Sequence, residues 1–546
     1  PIPNPQDYDF DIFSIIIKII RIKQRLKLKI YFLKIMSNFL SSFIENKIFF
    51  LVIGFILSVF SIGRSNISIT IYIWPFCFLT FLHKNNNKLW PLIVVSICIA
   101  ISNIFRWIGI SHTSFLGDII IGLYFSLINI IPFIIDDIFY DKISKWKNIF
   151  LFPLSVAFCE FLFSFCFIAN NNIYAYALRE NIQIIQICSL FGCYFLSFVI
   201  ALFSSILDYS INLYVNEKAI SKFIICYIIL ISLIYFFGFI RLLLPEEKGT
   251  YNIGASIGIS NEIYEHEQSA DNYFRELDEY VQYINDTMRK AKGADCKIMT
   301  YAEEEAFGIY LVNKTEIINR VSKLAQEYQI FVLLPLDIGQ DDDFNTNEAI
   351  LISDKGELLY NYQKQHLVPY IEKDYDTITD EVKVVNTSLG KMTVVICYDI
   401  NFPYYINNLS REHFDILLIP SWDWDAIAEF HSVELRYRAI ENGFNTIKNT
   451  ANGNTISIDY KGRILSYFIS KDCEDYFLVN TINRKGVKTL YSYIGIFFNY
   501  FYLLAIICIL VSGIINEKFC SQKNRDKSIS RYNKLEEVMN KNDEDN

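Results

Sequence analysis

Eight long apolar runs, near 48–63, 67–82, 89–105, 113–135, 149–169, 184–207, 220–244 and 490–515, limit what this chain can fold into more than any other feature. Most reach the roughly 20 residues that carry a helix across a hydrocarbon core, the first two being shorter. The reading is seven spans, a large insertion and one final span. With 546 residues, 52% hydrophobic, the chain is too long and too apolar for one ordinary soluble domain.

Short cytoplasmic loops carry excess Lys and Arg, which gives the spans a direction. The stretch "KIIRIKQRLKLKIYFLK" precedes the first run; Lys84 and Lys88, then Lys142, Lys145 and Lys147, then Lys218 and Lys222 fall in alternate loops. The intervening loops, with Arg64, Arg106 and Arg179, are poorer in basic residues, and the tail after the last run is rich in them. Both termini are therefore expected in the cytoplasm, with the insertion on the outer face. The expected division is a basic cytoplasmic segment at 1–47, seven membrane helices over 48–244, a folded domain at 249–486, a final span at 490–515 and a polar cytoplasmic tail at 516–546. The chain opens on Pro and has no Met before Met36, so no weight is placed on residues 1–35.

Eight of the twelve cysteines fall in the runs, where small soft residues pack. The insertion keeps Cys296, Cys397 and Cys473, an odd number without metal-ligand spacing, so at least one thiol is unpaired. The net charge of −9 argues against nucleic-acid binding. The acidic loop "DIGQDDDFN" lacks the ordered spacing of a calcium site and reads as a solvated turn.

Within the insertion, strand and helix patterns alternate at short range, which predicts an α/β domain. "YNIGASIGIS", "CKIMTYAEEEA", "IFVLLPLDIG", "MTVVICYD", "FDILLIP" and "NTISIDYKGRIL" read as strands, and "EAILISDKGELLYNYQKQHLVP" as a hairpin turning at Asp354–Gly356. Helices are expected over 271–291, 314–329 and 426–443. Three polar residues stand where strands end: Glu303, Lys364 and Cys397. Each alone reads as a surface acid, a surface base and a core thiol. Together they supply what thiol acyl chemistry requires: a proton acceptor, a fixed cation for an oxyanion and a nucleophile on a turn.

In these motifs the chain resembles the apolipoprotein N-acyltransferases, whose extramembrane part is a nitrilase-like carbon-nitrogen hydrolase domain. "TYAEEEA", "NEAILISDKGELLYNYQKQHLVPYIE", "VVICYDINFP" and "RYRAIENGFNTIKNTANGNTISIDYKGRIL" stand in that family's order, inside its frame of seven spans, domain and final span. The resemblance implies a four-layer α-β-β-α sandwich, with Glu303 as general base, Lys364 as oxyanion stabiliser, Cys397 as nucleophile and support from Tyr398, Glu372 and Asn347. It implies a monomeric, multi-pass enzyme of the inner cell membrane, with its domain on the periplasmic face and no metal or soluble cofactor. That enzyme moves an acyl chain from a phospholipid, through a thioester, to the amine of a diacylated lipoprotein. The departures are Tyr301-Ala302 for the family's Trp-Pro, Glu304 and Glu305 beside the base, Asp399 where the family has Glu, and a polar "KDYDTITDE" after "PYIE". Glu160, an acid inside a run, reads as either a packing hydrogen bond or part of lipid entry. Two other readings stand beside the acyltransferase: a membrane-tethered amidase that gives the thioester to water, and an inactive interaction module.

Overall fold

A computed structural model describes residues 46–515 apart from 112–113, 170, 218–220, 246–248, 258–276, 304–313, 339–344, 378–381, 474–475, 496 and 514. Glu304 and Glu305, most of the acidic loop and both terminal segments lie outside the described residues. Of the membrane half, five helices are long and apolar enough to cross a bilayer: Leu89–Trp107, Phe115–Phe139, Trp146–Phe163, Cys193–Val215 and Lys222–Leu243. The remaining apolar runs form shorter helices, Lys47–Val59, Thr70–His83, Ile182–Phe191 and Phe497–Gly513. The run at 184–207, expected as one span, is divided at Gly192, whose φ of +78° breaks the helix between Phe191 and Cys193.

Lipid offers no hydrophobic drive for helices to associate, so their contacts use small residues and buried hydrogen bonds. Gly122 lies so close to the Ile104 backbone that a Cβ would meet it at 2.7 Å. Ser58 and Ser102 share a 2.6 Å hydrogen bond. Glu160 is likewise tied inside the protein, accepting the Tyr174 backbone N–H at 2.8 Å.

The extramembrane domain is built on two sheets. The first runs β13-β1-β2-β3-β4-β5 and the second β12-β11-β10-β9-β8-β7. Their central strands are parallel: β1 (Thr250–Ser256), β2 (Cys296–Thr300) and β3 (Phe331–Ile338) in one, β8 (Gly390–Val394), β9 (Ile416–Ser421) and β10 (Asn445–Thr450) in the other. Antiparallel strands flank them: β13 (Phe477–Asn483), β4 (Asn345–Ile352) and β5 (Leu358–Gln363) on the first, β7 (Val385–Thr387), β11 (Asn454–Ile458) and β12 (Ile464–Ile469) on the second. Side chains on a strand alternate between faces, and β3 shows the layering. Phe331 and Leu333 join a cluster that includes Ile416 and Leu418 of the second sheet, whereas Val332 and Leu334 pack under the helices Leu277–Gly293 and Lys314–Tyr328. Asn449 stitches the sheets, donating to the carbonyls of Ser256 at 2.8 Å and Thr300 at 3.0 Å.

Three elements differ from the sequence-based expectation. "NTISIDYKGRIL" is not one strand but parts of β11 and β12, joined by a turn in which Asp459 accepts from the Lys461 and Arg463 backbones. "NTIKNT" and "FLVNTIN" become β10 and β13 despite their polar content; β10 is buried throughout, and Asn445, Lys448 and Asn449 find partners inside, while the Thr446 hydroxyl has none among the described residues. The predicted strand "MTVVICYD" stops at Val394, and Cys397 opens a tight 3₁₀ turn instead.

The helix Asp425–Asn442 joins the two halves. Arg436 donates to the Arg179 carbonyl at 2.7 Å, and Tyr437 donates to that of Ala175. Arg438, fully buried, pairs with Glu441 at 2.6 Å and donates to the Tyr176 hydroxyl at 2.8 Å, while Glu441 accepts the Cys193 N–H at 2.7 Å. Removing one member of a buried ion pair leaves the other charge uncompensated, at a cost of about 3–5 kcal/mol. Arg438→Ala is therefore expected to lower stability by about that amount, read by thermal unfolding of the purified chain. A double change of Arg438→Met with Glu441→Gln is expected to recover most of the loss.

Candidate active site

Ligands of open sheets gather outside the carboxyl ends of parallel strands, where loops diverge. Glu303 follows β2, Cys397 follows β8 and Trp422 follows β9, so the two sheets bring their strand ends to one place. Lys364 follows β5, and its backbone N–H donates to the Asn347 carbonyl of β4 at 2.9 Å. Both Glu303 and Lys364 are buried, and the Lys364 ammonium lies 2.7 Å from Glu303 Oε1 and 2.8 Å from Glu372 Oε1. Asn347 Nδ2 donates to the same two oxygens, at 2.8 and 3.3 Å. The other oxygen of Glu303 accepts the Trp422 N–H at 2.8 Å, and that of Glu372 accepts the Val368 N–H at 2.6 Å.

Cys397 meets this network through Trp422, whose carbonyl lies 3.8 Å from Sγ. Its φ of +43° is a left-handed backbone that L residues avoid, so the turn holds the thiol in a conformation the strand could not give it. Burial and the nearby Glu303 carboxylate push the thiol well above its ordinary range, against the opposing pull of Lys364. Burial also raises Glu303, though Lys364 counters it. Lys364 itself is held firmly protonated: burial opposes the charge, and the two carboxylates outweigh it. An ammonium has three donors, and two are engaged here, leaving one for an oxyanion.

The turn is pinned by Asp399. Its carboxylate accepts from Tyr362 hydroxyl at 2.6 Å, from the His366 backbone at 2.9 Å and ring at 2.8 Å, and from the Ile396 N–H at 3.0 Å. Tyr398 points the other way, accepting the Ala169 N–H of the membrane half at 3.0 Å. The structure thus brings Glu303, Lys364, Glu372 and Asn347 into one network, with Cys397 at its edge and Tyr398 facing the membrane half.

Sequence reasoning missed a second buried group beside Cys397. Asp423 accepts from His431 Nδ1 at 2.9 Å and from Ser421 at 2.8 Å, and forms an ion pair with Lys448. Burial disfavours its charge, but Lys448 and His431 together hold Asp423 below the usual carboxylate range. Ligand atoms of Cys397, Asp423 and His431 lie within 4.8 Å of one another, a spacing a metal can use. The donor set does not suit one, because Lys448 already supplies the cation to Asp423. The available signal was "SWDW" at the end of an apolar run, since a strand end is where site residues collect. Glu434, also buried, is pushed up to about 8 by burial and has no hydrogen-bond partner on either oxygen.

The carbon-nitrogen hydrolase family matches residues 263–489, so the chain carries a carbon-nitrogen hydrolase domain. Curated relatives include amidases, other hydrolases and acyltransferases. A deaminated glutathione amidase of Dictyostelium discoideum is 30% identical over 182 residues, 29% of this chain and 62% of that protein. Apolipoprotein N-acyltransferases are similar too: that of Geobacter metallireducens at 23% over 317 residues, 53% of this chain and 60% of that protein, and one of Treponema denticola at 25% over 206 residues, 33% and 38% respectively. The chain thus spans less than two thirds of the length of each. Among solved structures, an amidase from Nesterenkonia sp. aligns over 45% of this chain and 94% of its own, at 15% identity and a TM-score of 0.38.

The charges around the thiol make a signed prediction. Glu303 raises the Cys397 pKa and Lys364 lowers it. In Glu303→Gln, alkylation of Cys397 by iodoacetamide is expected to set in at lower pH than in the wild type, and in Lys364→Met at higher pH. Mass-spectrometric labelling across a pH series checks both directions.

Proposed function

We propose that this protein is an acyltransferase of the apolipoprotein N-acyltransferase kind, moving an acyl chain from a phospholipid through a Cys397 thioester to the amine of a diacylated lipoprotein. The observation that carries the reading is an apolar groove between the two halves of the molecule. Trp107, Ile121 and Phe125 line it from the membrane helices, and Pro369, Tyr398 and Trp424 from the domain. Tyr398 is the chain neighbour of the candidate nucleophile, so the groove runs from lipid-facing helices to the turn that carries the thiol. Its volume is about 70 Å³, below the roughly 300 Å³ at which pockets for drug-sized ligands begin. Trp424 fixes its mouth, donating to the Ile110 carbonyl at 2.5 Å.

In this reading Glu303 takes the thiol proton as sulfur attacks the ester carbonyl. The free donor of Lys364 stabilises the oxyanion, and Glu303 returns the proton to the departing lysophospholipid. The acceptor amine then attacks the thioester, gives its proton to Glu303 and releases the thiolate, which is reprotonated. Donor and acceptor are both anchored in lipid, so a thiol held at the bilayer surface meets each without either leaving the membrane. The domain is proposed to stand on the outer face, because Lys84, Lys88, Lys142 and Lys147 cluster at the other ends of the helices.

Amidase relatives matching the same domain favour a second reading, in which water takes the acyl group. The two separate on product. Given a phospholipid labelled in its acyl chain and a diacylated lipopeptide, the transferase is expected to yield triacylated peptide and lysophospholipid; labelled free fatty acid alone would establish the hydrolase. Cys397→Ser is expected to lower either turnover by at least about a thousandfold, and retained activity would exclude the thioester.

A further inference from the structure

A second polar site lies at the far end of the membrane half, away from Cys397. The Thr70–His83 helix begins beside Gly63, whose carbonyl accepts from Arg179, and Arg179 in turn pairs with Glu429 of the domain at 2.5 Å. Fourteen helical residues then carry His83 about 20 Å from that contact. There the imidazole is held between two carboxylates. Nε2 lies 2.7 Å from an Asp136 oxygen and Nδ1 lies 2.7 Å from an Asp208 oxygen, while the Tyr140 ring stacks on it at 3.5 Å. These side chains line a cavity of about 250 Å³.

With both carboxylates ionised each can only accept, so both ring nitrogens donate and His83 is cationic. One positive and two negative groups leave the wall with one net negative charge; nearby Asp137 is matched separately by Lys88 at 3.5 Å. Among the described residues Asp136 uses only one carboxylate oxygen. Asn148 and Ser205, both buried and both in the cavity wall, each carry an oxygen with no hydrogen-bond partner. A surplus charge and orphaned acceptors among apolar helices are costly unless a cation with hydrogen-bond donors enters. A bare metal ion fits poorly, since the imidazolium stands between the two carboxylates and keeps them from closing on one centre. A quaternary ammonium brings charge without donors. A primary ammonium brings charge and three N–H groups.

We propose that this cavity is a binding site for a primary ammonium group, on the membrane face opposite the catalytic domain. An aminophospholipid headgroup and a soluble amine share that chemistry, and the test separates them. The full chain in detergent is titrated with dihexanoylphosphatidylethanolamine, dihexanoylphosphatidylcholine or ethanolamine, following thermal unfolding and bound mass. The expected result is stabilisation by the ethanolamine lipid at one copy per chain, with no comparable effect of the choline lipid. Ethanolamine matching the lipid would assign the site to a soluble amine. Asp136→Asn is expected to weaken binding at least tenfold while Cys397 alkylation is unchanged. If Asp136→Asn does not fold, Ser205→Ala, which removes one orphaned oxygen, is expected to weaken binding severalfold. Equal binding of both lipids, no binding of any amine, or stabilisation by potassium or magnesium alone would overturn the proposal.

Discussion

The burial of the Lys364 ammonium between Glu303 and Glu372 is the constraint on which the domain's architecture turns. A charge out of water is tolerated only with partners at hydrogen-bond distance, and here the partners come from separate parts of the chain. Glu303 is fixed by Trp422 from the opposite sheet and by Asn347 from its own, and Glu372 by the Val368 backbone. The network is complete only when both sheets are formed and in register. Its balance, two carboxylates to one ammonium, also explains why the thiol is held protonated: the surplus negative charge disfavours a second anion. Such a thiol is held in its neutral form by its surroundings.

The Asp425–Asn442 helix carries that order into the membrane half. Its first turns present His431 to Asp423, beside Cys397, and its last turns bury Tyr437, Arg438 and Glu441 against the 175–193 segment. One rigid element therefore sets both the local surroundings of the thiol and its place relative to the helices. Tyr398 and Trp424 add direct ties, to Ala169 and Ile110. A domain so tethered cannot tumble on its linkers, and the groove beside Tyr398 keeps its shape.

Much of this was legible in the residues alone, for reasons that also explain the gaps. Glu303 and Cys397 stand out because each is polar and follows an apolar strand, and Lys364 because it ends the second arm of a hairpin, contrasts that survive without a structure. Asp423 and Lys448 form as buried a pair, yet Lys448 sits in "NTIKNT", where all but Ile447 are polar enough to suggest a loop. A strand buried on both faces with polar side chains on each has no periodicity to betray it. The long apolar runs were visible, but hydropathy does not report where a helix breaks. Gly192 ends one within an unbroken apolar stretch, because its backbone and not its polarity makes the turn.

Asp399 shows how a small departure in sequence can be read once the geometry is known. A longer acid at that position would reach past the turn, whereas the aspartate has both oxygens taken up by Tyr362, His366 and the Ile396 N–H. Its carboxylate thus has no spare lone-pair direction aimed at a substrate, and its effect passes through the backbone of Cys397. The residue that distinguishes this chain's cysteine motif holds the nucleophile's turn. Glu434 differs: among the described residues it is buried with both oxygens unpartnered, and its charge is felt at Tyr398.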